Sequence, residues 1–451
     1  MLDIVILAAG KGTRMKSDLP KVLHPIAGKS LLEHVIQTAS PLSDRSLNII
    51  VGHGADTVKS MLKGHNFILQ EQQLGTGHAV QQALPYVHDD AIVLILYGDV
   101  PLIKQDTLQR LINSVNPNAL GLLTVTLDNP QGYGRILRDT TGQVTAIVEQ
   151  KDASEEQLAI AEVNTGVMAV NASHLKQWLP ALSNNNAQGE YYLTDIIAMA
   201  KSQGVAIETE QPSNEWEVLG VNDRRQQAEL ERIYQQTLAE QLLIDGVSLI
   251  DPARFDCRGE LTVGHDVVID INCIIKGNVT IGDNVTIGAH CILDNVTIGS
   301  GSVIKDHTML EDCDIHQHCT IGPFARLRPG TVLSDHAKIG NFVETKKAHV
   351  GKGSKINHLS YVGDATLGES VNIGAGTITC NYDGVNKHKT TIGDDVFVGS
   401  NSSLVAPVSL EKGSTIGAGS TINKSVKENT LSLTRSPQQV LTGWKRPTKK
   451  T

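Results

Sequence analysis

The sequence predicts a chain of two structural parts, an α/β domain with a mostly parallel sheet followed by a parallel β-helix. In the second half, a branched aliphatic residue recurs at every sixth position, a period that fits neither an α-helix nor an alternating strand. In the first half, short apolar runs alternate with amphipathic stretches, which is typical of βαβ units. A long amphipathic segment between the two halves predicts a helix that joins them.

Five apolar runs are the strand candidates of the first half. Amphipathic stretches at 30–40 and 106–115 predict helices between some of them. In a mostly parallel sheet, the ligand lies outside the carboxyl ends of the strands. The strand candidates are 4–10, 47–52, 91–99, 120–127 and 162–170.

A glycine-rich turn, LAAGKGTRM (7–15), follows the first strand. Backbone N–H groups in such a turn reach an anion that side chains would otherwise block. The spacing is not that of a P-loop, and Met15 stands where the dinucleotide-binding fingerprint has its third glycine. Lys11, Arg14 and Lys21 supply positive charge for a triphosphate. The alternative is a surface turn with solvated charges.

Asp99 ends a very apolar strand within the segment YGDVP (97–101). A carboxylate at that place is either solvated in a cleft or paired, and Mg²⁺ in proteins takes one or two such oxygens beside substrate phosphates. Because 7–15 and 97–101 both follow strand ends, we expect them to face one pocket. The alternative for Asp99 is that it caps a turn.

Residues 222–246 carry apolar side chains at helical spacing, with Asp223 placed to cap the start and Gly246 the end. We therefore expect three parts: a first domain at 1–224, a linker helix at 225–245 and the β-helix with its tail at 246–451. The apolar face of the helix consists of Leu230, Ile233, Tyr234, Leu238 and Leu242.

The six-residue repeat covers roughly 261–425, and each aliphatic side chain is predicted to point inward and stack on its equivalent in the next coil. A following glycine or small polar residue suits the tight corner. Between the two regular runs, the phase shifts by one residue in a few places. The regular runs are Val263, Ile269, Ile275, Ile281 and Ile287, and then Ile392, Val398, Leu404, Leu410, Ile416 and Ile422.

Composition excludes some classes of function. A net charge of −9 over 451 residues argues against nucleic acid as a partner. No apolar run approaches the ~20 residues that cross a bilayer, so we expect no membrane insertion. The first residues lack a basic leader, so we expect a cytoplasmic protein. All six cysteines lie in the second half without CxxC spacing, which favours reduced thiols over disulfides or a zinc cluster.

Seven segments of the first half resemble the motifs of sugar-nucleotide pyrophosphorylases. With the β-helix, residues 1–446 are similar to the bacterial bifunctional N-acetylglucosamine-1-phosphate uridylyltransferase / glucosamine-1-phosphate N-acetyltransferase family. The resemblance implies a Rossmann-like nucleotidyltransferase domain joined to a left-handed parallel β-helix of hexapeptide repeats. The segments are LAAGKGTRM (7–15), LPKVLH (19–24), QLGTGHA (73–79), YGDVP (97–101), GYGRI (132–136), VEQKD (148–152) and EVNTG (162–166).

For the first half, the resemblance implies transfer of UMP from UTP to N-acetylglucosamine 1-phosphate, with Arg14 and Lys21 assisting and with Mg²⁺ held by Asp99 and Asn222. The family usually has Glu three residues before this Asn, whereas this chain has Leu219. That difference concerns the surroundings of Asn222 and not the class of activity. The implied nucleotide and sugar contacts are Leu7, Ala8, Ala9, Gly10, Lys21, Gln70, Gly75, Thr76, Tyr97, Gly98, Asp99, Gly134, Glu149, Asn164 and Asn222.

For the second half, the resemblance implies acetylation of glucosamine 1-phosphate by acetyl-CoA in a homotrimer whose sites are shared between neighbouring copies. Such a transfer needs a base, for which neutral His is suited, and His358 in NHLSY is the candidate. The sugar-phosphate contacts are implied at Arg328, Lys346, Tyr361 and Asn372. The acetyl-CoA contacts are implied at Ala375, Asn381, Tyr382, Ser400, Ala418 and Arg435.

Together the two steps would make UDP-N-acetylglucosamine for peptidoglycan and lipopolysaccharide. One alternative keeps the sugar-1-phosphate nucleotidyltransferase but makes the β-helix a non-catalytic scaffold. Another is a β-helical zinc hydrase that uses His290, His316 or His318. A ping-pong route through an acyl-thioester on Cys380 is disfavoured, because no base stands beside it in the sequence.

Overall fold

The structure is a computed structural model that describes residues 1–43, 45 and 47–449. The chain divides into two compact units, Met1–Tyr234 and Gln235–Thr451. The point of division lies inside the helix Arg224–Ile244, the segment that the sequence predicts as a helix.

The first unit is built on a nine-stranded sheet. Glu162–Asn171 runs antiparallel to both of its neighbours, and the other pairs along the main path are parallel. A hairpin of Arg135–Arg138 and Val144–Val148 joins the sheet beside Glu162–Asn171. From edge to edge, the main path is Ala206–Glu210, Ala119–Thr126, Glu162–Asn171, Ile92–Tyr97, Leu2–Ala8, Asn48–Val51 and Asn66–Leu69.

Alternate residues of the central strand Leu2–Ala8 pack on opposite faces of this sheet. Val5 and Leu7 belong to one apolar cluster, and Ile4 and Ile6 belong to another. Helices therefore cover both faces, as βαβ connections require. The first-unit helices are Leu31–Ala39, Ala55–Met61, Thr76–Ala83, Gln105–Asn113, Glu155–Leu158, Ala172–Trp178 and Ile196–Ser202, with 3₁₀ turns at Thr13–Met15, Lys21–Leu23, Ser40–Leu42, Leu84–Tyr86, Leu179–Ala181, Leu193–Asp195 and Glu215–Val218.

The helix Arg224–Ile244 begins and ends at the residues that the sequence predicts as its caps. The Asp223 carboxylate accepts hydrogen bonds from the N–H groups of Arg225 and Gln226, at 2.9 and 3.0 Å. At the other end, Gly246 adopts φ = 94°, and Val247 N–H donates to Leu242 O. A left-handed glycine satisfies the last carbonyl groups of a helix in this way.

The second unit is the left-handed β-helix, and its inward residues form three aliphatic stacks. One stack runs from Ile269 through Ile287 to Ile416, one register partner per coil. Its inward side chains are at most 2% exposed. This confirms the six-residue repeat, because three such positions complete one coil.

The coils pair through two long parallel sheets. The first unit has, besides its main sheet, a short antiparallel pair of Pro25–Ile26 and Lys29–Ser30. One long sheet comprises Ser248–Leu249, Val268–Ile269, Thr286–Ile287, Val303–Ile304, Thr320–Ile321, Lys338–Asn341, Lys355–His358, Asn372–Ile373, Phe397–Val398, Thr415–Ile416 and Leu431–Ser432. The other comprises Phe255–Val263, Cys273–Ile281, Ile292–Ile298, Met309–Ile315, Arg326–Leu327, Thr331–Leu333, Glu344–Val350, Tyr361–Leu367, Ile378–Cys380, Thr390–Ile392, Ser403–Val405, Val408–Leu410 and Thr421–Ile422. A 3₁₀ turn at Pro252–Arg254 precedes the first long strand.

The predicted shifts of phase are differences in coil length. Ile274 pairs with Ile292, which in turn pairs with Met309, so the second of these coils is shorter than the first by a single residue. The step from Ile378 to its partner Ser403 is much longer, because the chain leaves the coil as a loop at 381–389. The β-helix thus keeps its stacks while the corners absorb the missing or added residues.

Five of the six cysteines are buried in the β-helix, as the sequence predicts for reduced thiols. The Sγ atoms of Cys273, Cys291 and Cys319 lie 3.2–3.3 Å from backbone oxygens of the following coil. Cys257 and Cys313 are likewise buried.

Within the part of the chain that the structure describes, none of the helices combines the length and hydropathy needed to cross a membrane.

Candidate active sites

A cavity of about 450 Å³ opens at the carboxyl ends of the central strands in the first unit. The glycine-rich loop and the segment after Ile92–Tyr97 both line it, so they face one pocket as predicted. Ten of the predicted contact residues are among its walls. Its lining consists of Leu7, Ala8, Ala9, Gly10, Lys11, Lys21, Val22, Gln70, Gln73, Gly75, Thr76, Ala79, Tyr97, Asp99 and Glu190.

The glycine-rich loop turns sharply so that Lys21 lies beside it. Gly12 adopts φ = 60°, and a Cβ atom there would stand 2.6 Å from the Cβ of Lys21. A larger residue at this position would displace Lys21 or the loop. Gly12 therefore allows the bare loop and the Lys21 side chain to reach the same end of the cavity.

Lys21 brings together the two predicted metal ligands. Its ammonium contacts the Asp99 carboxylate and donates to Asn222 Oδ1 at 3.1 Å. Asn222 reaches this place because Val221 N–H donates to the Asp99 carbonyl at 2.9 Å. Two oxygens that meet one ammonium also suit a small divalent cation, so Asp99 and Asn222 fit Mg²⁺ as oxygen donors.

The other end of the cavity is formed by the segment around Thr76. Gln70 is 3% exposed, and its Nε2 donates to Gly75 O at 3.2 Å and lies 3.0 Å from His78 Nδ1. Thr76 Oγ1 accepts from Leu193 N–H at 3.1 Å. These bonds fix the edge of the wall that the resemblance assigns to the uracil.

Tyr97 is the last residue of the strand Ile92–Tyr97 and lines the cavity. Burial raises the pKa of its phenol strongly, with the carboxylates of Glu149 and Asp99 adding to the effect. Gly166 adopts φ = 86°, and a Cβ there would approach the Tyr97 ring to 2.5 Å. The neutral ring therefore packs closely against a bare backbone. Gly98 follows on the same strand end, where an added Cβ would stand 3.3 Å from the Ala8 Cβ.

The three residues predicted to contact the sugar lie together on neighbouring strands. Asn164 N–H donates to Gly134 O at 2.9 Å, and a Cβ at Gly134 would stand 3.4 Å from the Glu149 carboxylate. Burial raises the pKa of Glu149, while a hydrogen bond from Thr194 Oγ1 at 3.2 Å lowers it. The structure thus groups Gly134, Glu149 and Asn164.

Arg14 is one of the predicted first-unit residues that do not line the cavity; the others are Gly98, Gly134, Glu149, Asn164 and Asn222. Arg14 is part of the glycine-rich loop. It lies exposed in the turn Thr13–Met15. Conversely, Gln73 and Glu190 line the cavity although they were not predicted. Glu190 reaches the cavity because the backbone of the next residue, Tyr191, is hydrogen-bonded to the backbones of Leu74 and Gly77, at 2.8 Å each. No motif in the sequence signals that pairing.

Leu219 lies beside a separate cavity of about 360 Å³ in the first unit. Its lining includes three acidic residues, Asp128, Glu215 and Glu229, and also Tyr133. Leu219 also packs against two of the apolar clusters. A leucine at 219 therefore keeps a further carboxylate out of an already acidic region.

In the second unit, His358 ends the strand Lys355–His358 at one corner of the coil. Its Nδ1 lies 2.8 Å from Asn341 Oδ1, in the preceding coil. Its carbonyl accepts from Gly376 N–H at 3.2 Å and from Ser360 Oγ at 2.8 Å. The side chain is exposed while the backbone is fixed on both sides.

Three of the predicted acetyl-CoA contacts continue this corner coil by coil. Gly376 N–H bonds to His358 O, Asn401 N–H to Ala375 O, and Gly419 N–H to Ser400 O, at 3.2, 2.7 and 2.8 Å. We call the corner residues Asn341, His358, Ala375, Ser400 and Ala418 the His358 row. Since neighbouring strands lie about 4.8 Å apart, Ala418 stands roughly 14 Å along the row from His358.

The residue after each member of the His358 row adopts a left-handed conformation. The residues that follow Asn341 and His358 are large, namely Phe342 at φ = 55° and Leu359 at φ = 49°. The residues that follow Ala375, Ser400 and Ala418 are Gly376, Asn401 and Gly419. The corner therefore becomes shallow where the acetyl-CoA contacts are predicted. Arg435 lies at its far end, with its guanidinium 3.5 Å from the Cβ that Gly417 would carry.

The large residues of this corner form an exposed stack of rings. His290, His307, Phe324 and Phe342 follow one another with ring centroids 4.8–5.3 Å apart and planes inclined by 6–15°. Phe324 is 48% and Phe342 56% exposed. We call these four side chains the ring stack.

Three of the predicted sugar-phosphate contacts, Lys346, Tyr361 and Asn372, lie on strands, and the fourth, Arg328, directly follows the strand Arg326–Leu327. Arg328 donates to Glu344 at 2.8 Å, and Glu344 is the register partner of Tyr361. The pKa of Lys346 is lowered, first by the ammonium of Lys387 beside it. Two ammonium groups held together make a site for a phosphate. Asn372 lies on the other sheet, opposite Lys355.

The remaining predicted residues, Asn381 and Tyr382, begin the loop at 381–389. Asn381 is buried, and its Nδ2 donates to Asp364 Oδ2. Tyr382 is 60% exposed. His388 N–H donates to Asn381 O at 2.8 Å and closes the loop.

The histidines of the zinc alternative are placed otherwise. Among the described residues, no group of three or more His, Cys, Asp or Glu side chains is arranged to hold a metal ion. His290 stacks on His307, and His318 stacks on His336 with centroids 5.1 Å apart. These histidine side chains are members of stacks of exposed rings.

Comparison with known proteins covers the whole chain. Residues 4–187 match the family described as MobA-like NTP transferase domain, 257–350 the GMPPB C-terminal domain, and 389–424 the hexapeptide repeat of succinyl-transferase. A protein named bifunctional protein GlmU from Cellvibrio japonicus is 61% identical over 452 residues, which is 100% of both chains. Proteins of that name from Marinobacter nauticus and Pseudomonas putida are 59% and 57% identical over 450 residues, 99% of each chain.

Proposed function

Because this chain belongs to the family of bifunctional GlmU proteins, we propose that it catalyses two successive transfer reactions, one at the candidate site of each unit. The chain is a transferase with two activities. One acetylates glucosamine 1-phosphate with acetyl-CoA. The other transfers UMP from UTP to N-acetylglucosamine 1-phosphate and releases pyrophosphate, which gives the UDP-N-acetylglucosamine used for cell-wall synthesis.

In the uridylyl site, the sugar phosphate attacks the α-phosphorus of UTP in line with the leaving pyrophosphate. The N–H groups of Leu7–Gly10 and the Lys21 ammonium hold phosphate oxygens and offset the charge that develops. Asp99 and Asn222 hold Mg²⁺, which supplies further charge neutralisation when bound. The contact of Lys21 with both Asp99 and Asn222 at the cavity is the observation that carries this half of the proposal. Arg14 assists from the rim of the loop.

The uracil and the sugar are assigned to two separate groups of residues. Gln70, Gly75 and Thr76 contact the uracil, and the bonds that Gln70 Nε2 makes to Gly75 and His78 direct its Oε1 to accept from the base. Tyr97 and Gly98 line the site between them. Glu149, Asn164 and Gly134 contact the N-acetylglucosamine.

In the acetyl site, the amine nitrogen of glucosamine 1-phosphate attacks the thioester carbonyl. His358 takes the proton that the nitrogen loses, the C–S bond breaks, and the CoA sulfur leaves as a thiol once it regains a proton. Arg328, Lys346, Tyr361 and Asn372 hold the sugar phosphate. Acetyl-CoA lies along the His358 row past Ala375, Ser400 and Ala418, with Asn381 and Tyr382 beside it and Arg435 on a phosphate. The continuity of that row from His358 to Arg435 carries this half of the proposal.

The protein is proposed to act in the cytoplasm as a homotrimer. The support for self-association is the exposed ring stack, whose last member Phe342 directly follows Asn341 in the chain and lies one coil from Leu359. A second copy packed against these rings would stand beside His358. The sites would then be shared between copies.

The test uses purified protein with glucosamine 1-phosphate, acetyl-CoA, UTP and Mg²⁺, and it follows free CoA thiol and UDP-sugar in parallel. We expect His358→Ala to stop thiol release but leave UDP-sugar formation from N-acetylglucosamine 1-phosphate intact. We expect Asp99→Asn to do the reverse. Wild-type protein that forms UDP-sugar but releases no thiol would mean that the β-helix is only a scaffold.

A further inference from the structure

We infer that Asn341 is a positioning residue for His358: its amide oxygen accepts the Nδ1 proton and leaves Nε2 as the free basic atom of the imidazole. This inference rests on the proposed function, because it takes His358 to be the base of acetyl transfer. The proposed function gives Asn341 no role of its own. The observation is the 2.8 Å distance between Asn341 Oδ1 and His358 Nδ1.

The bond fixes which ring nitrogen carries the proton. A neutral imidazole has one N–H donor and one acceptor nitrogen, and an amide oxygen only accepts. Nδ1 must therefore be the donor toward Asn341 Oδ1, and Nε2 keeps its lone pair. Without this partner, the imidazole would divide between two tautomers and many orientations.

The backbone makes this contact part of the coil. Asn341 and His358 are register partners at the ends of adjacent strands, and Leu359 N–H donates to Asn341 O at 3.1 Å. The carbonyl of His358 is held by Gly376 and Ser360. With the main chain fixed on both sides, the Asn341 contact settles the remaining freedom of an exposed side chain.

The choice of an amide over a carboxylate also matters. An aspartate at 341 would accept the same proton but would favour the imidazolium, which cannot act as a base. The neutral amide orients the ring without adding a negative charge. Lys355 lies on the strand of His358, and Lys338 lies on a strand that pairs with it. The neighbouring strands of the other sheet carry further titratable groups, which are Glu344, Lys346, Lys347, His349, Tyr361, Asp364 and Cys380.

The experiment measures acetyl transfer across pH for Asn341→Leu and Asn341→Asp, with the oligomeric state and thermal unfolding of each recorded. We expect Asn341→Leu to lower kcat by about ten- to hundredfold, the usual effect of removing a group that orients a functional imidazole, with KM for acetyl-CoA little changed. We expect Asn341→Asp to retain most of the rate at high pH but to move the acidic limb of the profile to higher pH.

Asn272 provides a matched control for the added charge. Its Nδ2 lies 3.4 Å from His290 Nε2 at the same corner, several coils away. Asn272→Asp should leave the pH profile of acetyl transfer as in the wild type. An Asn341→Leu enzyme with wild-type kcat and pH profile would overturn the inference while leaving His358 as the base. A His358→Ala enzyme with full acetyl transfer would instead overturn the proposed function.

Discussion

The ammonium of Lys21 contacts the carboxylate of Asp99 at the wall of the first-unit cavity, and it reaches Asn222 Oδ1 at 3.1 Å. The side chains of Lys21 and Asp99 are 13% and 17% exposed. Their charges offset one another in a place with little solvent, so neither stands alone before substrate binds. Lys21 is thereby held where phosphate oxygens are proposed to lie.

Removal of divalent metal should separate the two activities. With a chelator, we expect uridylyl transfer to stop and acetyl transfer to continue, because Asp99 and Asn222 lie in the first unit and His358 in the second. Added Mg²⁺ should restore the first activity. Asp99→Asn should lower uridylyl transfer by about hundredfold or more even with excess metal. The exposed Asp106→Asn is the control, and equal losses in both variants would contradict the prediction.

Leu219→Glu should weaken the first unit. The substitution would place a carboxylate in a half-buried apolar position beside Asp128, Glu215 and Glu229. We expect a loss of about 1–3 kcal/mol in the free energy of unfolding. Thermal unfolding at neutral pH measures this loss. Leu219→Gln has nearly the same size without the charge and should cost less, and a Glu variant as stable as the wild type would speak against the argument.

Glu149→Gln should make the first unit more stable at neutral pH. Burial raises the pKa of Glu149, so the folded protein binds its proton more tightly than the unfolded chain does. The stabilising contribution of that proton is present below the unfolded pKa and is lost as pH rises through the folded pKa. The Gln variant escapes this loss, so its advantage in melting temperature should grow from pH 4 to pH 7.

The exposed Glu156→Gln serves as its control and should show no such trend. The KM for N-acetylglucosamine 1-phosphate should rise in Glu149→Gln only, since that carboxylate is proposed to contact the sugar. A melting temperature that falls at neutral pH in this variant would contradict the sign of the pKa argument.

Gly376→Phe should block acetyl-CoA without unfolding the β-helix. Gly376 has φ = 74°, and a Cβ there would meet the Asn401 Oδ1 at 2.3 Å. A left-handed non-glycine residue costs about 1–2 kcal/mol, and this corner already carries Phe342 in that conformation. We expect KM for acetyl-CoA to rise at least tenfold, because a ring would fill the shallow part of the row.

Gly413→Phe is closely matched to this change. Gly413 has φ = 66°, and its added Cβ would meet the Asn429 Oδ1, also at 2.3 Å. The strain in the two variants is therefore similar, but Gly376 directly follows Ala375 of the His358 row, whereas Gly413 follows no member of that row. If both variants lose acetyl-CoA affinity equally, the row is not the binding surface.

Periodicity was sufficient to predict the β-helix, because every sixth residue must fill the same inward stack. It did not predict which coils are shortened or where the loop at 381–389 leaves the coil, since corners tolerate both without disturbing Ile373 or Val398. The strands Asn66–Leu69 and Ala206–Glu210 were missed, because edge strands carry a weaker apolar signal. Their burial is partial.

The candidate sites were predictable mainly through motifs. Asp99 and the glycine-rich loop follow strand ends, and the topology of a parallel sheet brings such ends together. Asn341 and Glu190 had no local signal, because each reaches its site through backbone pairing with a segment distant in the sequence. The roles of the site residues stay predictions, as do the domain limits at 224 and 246.

The position of the His358 row along the β-helix also determines the order in which parts of the acetyl site would be lost on heating. In a β-helix each coil is stabilised mainly by its two neighbours, so thermal opening begins at a free end and propagates inward. Gly417–Gly419 and Arg435 belong to the last coils, whereas His358 is flanked by complete coils on both sides. Fraying from the carboxyl-terminal end would first disturb the proposed acetyl-CoA contacts and only later His358, the proposed base. Warming should therefore raise the acetyl-CoA requirement of the enzyme well before its maximal turnover collapses.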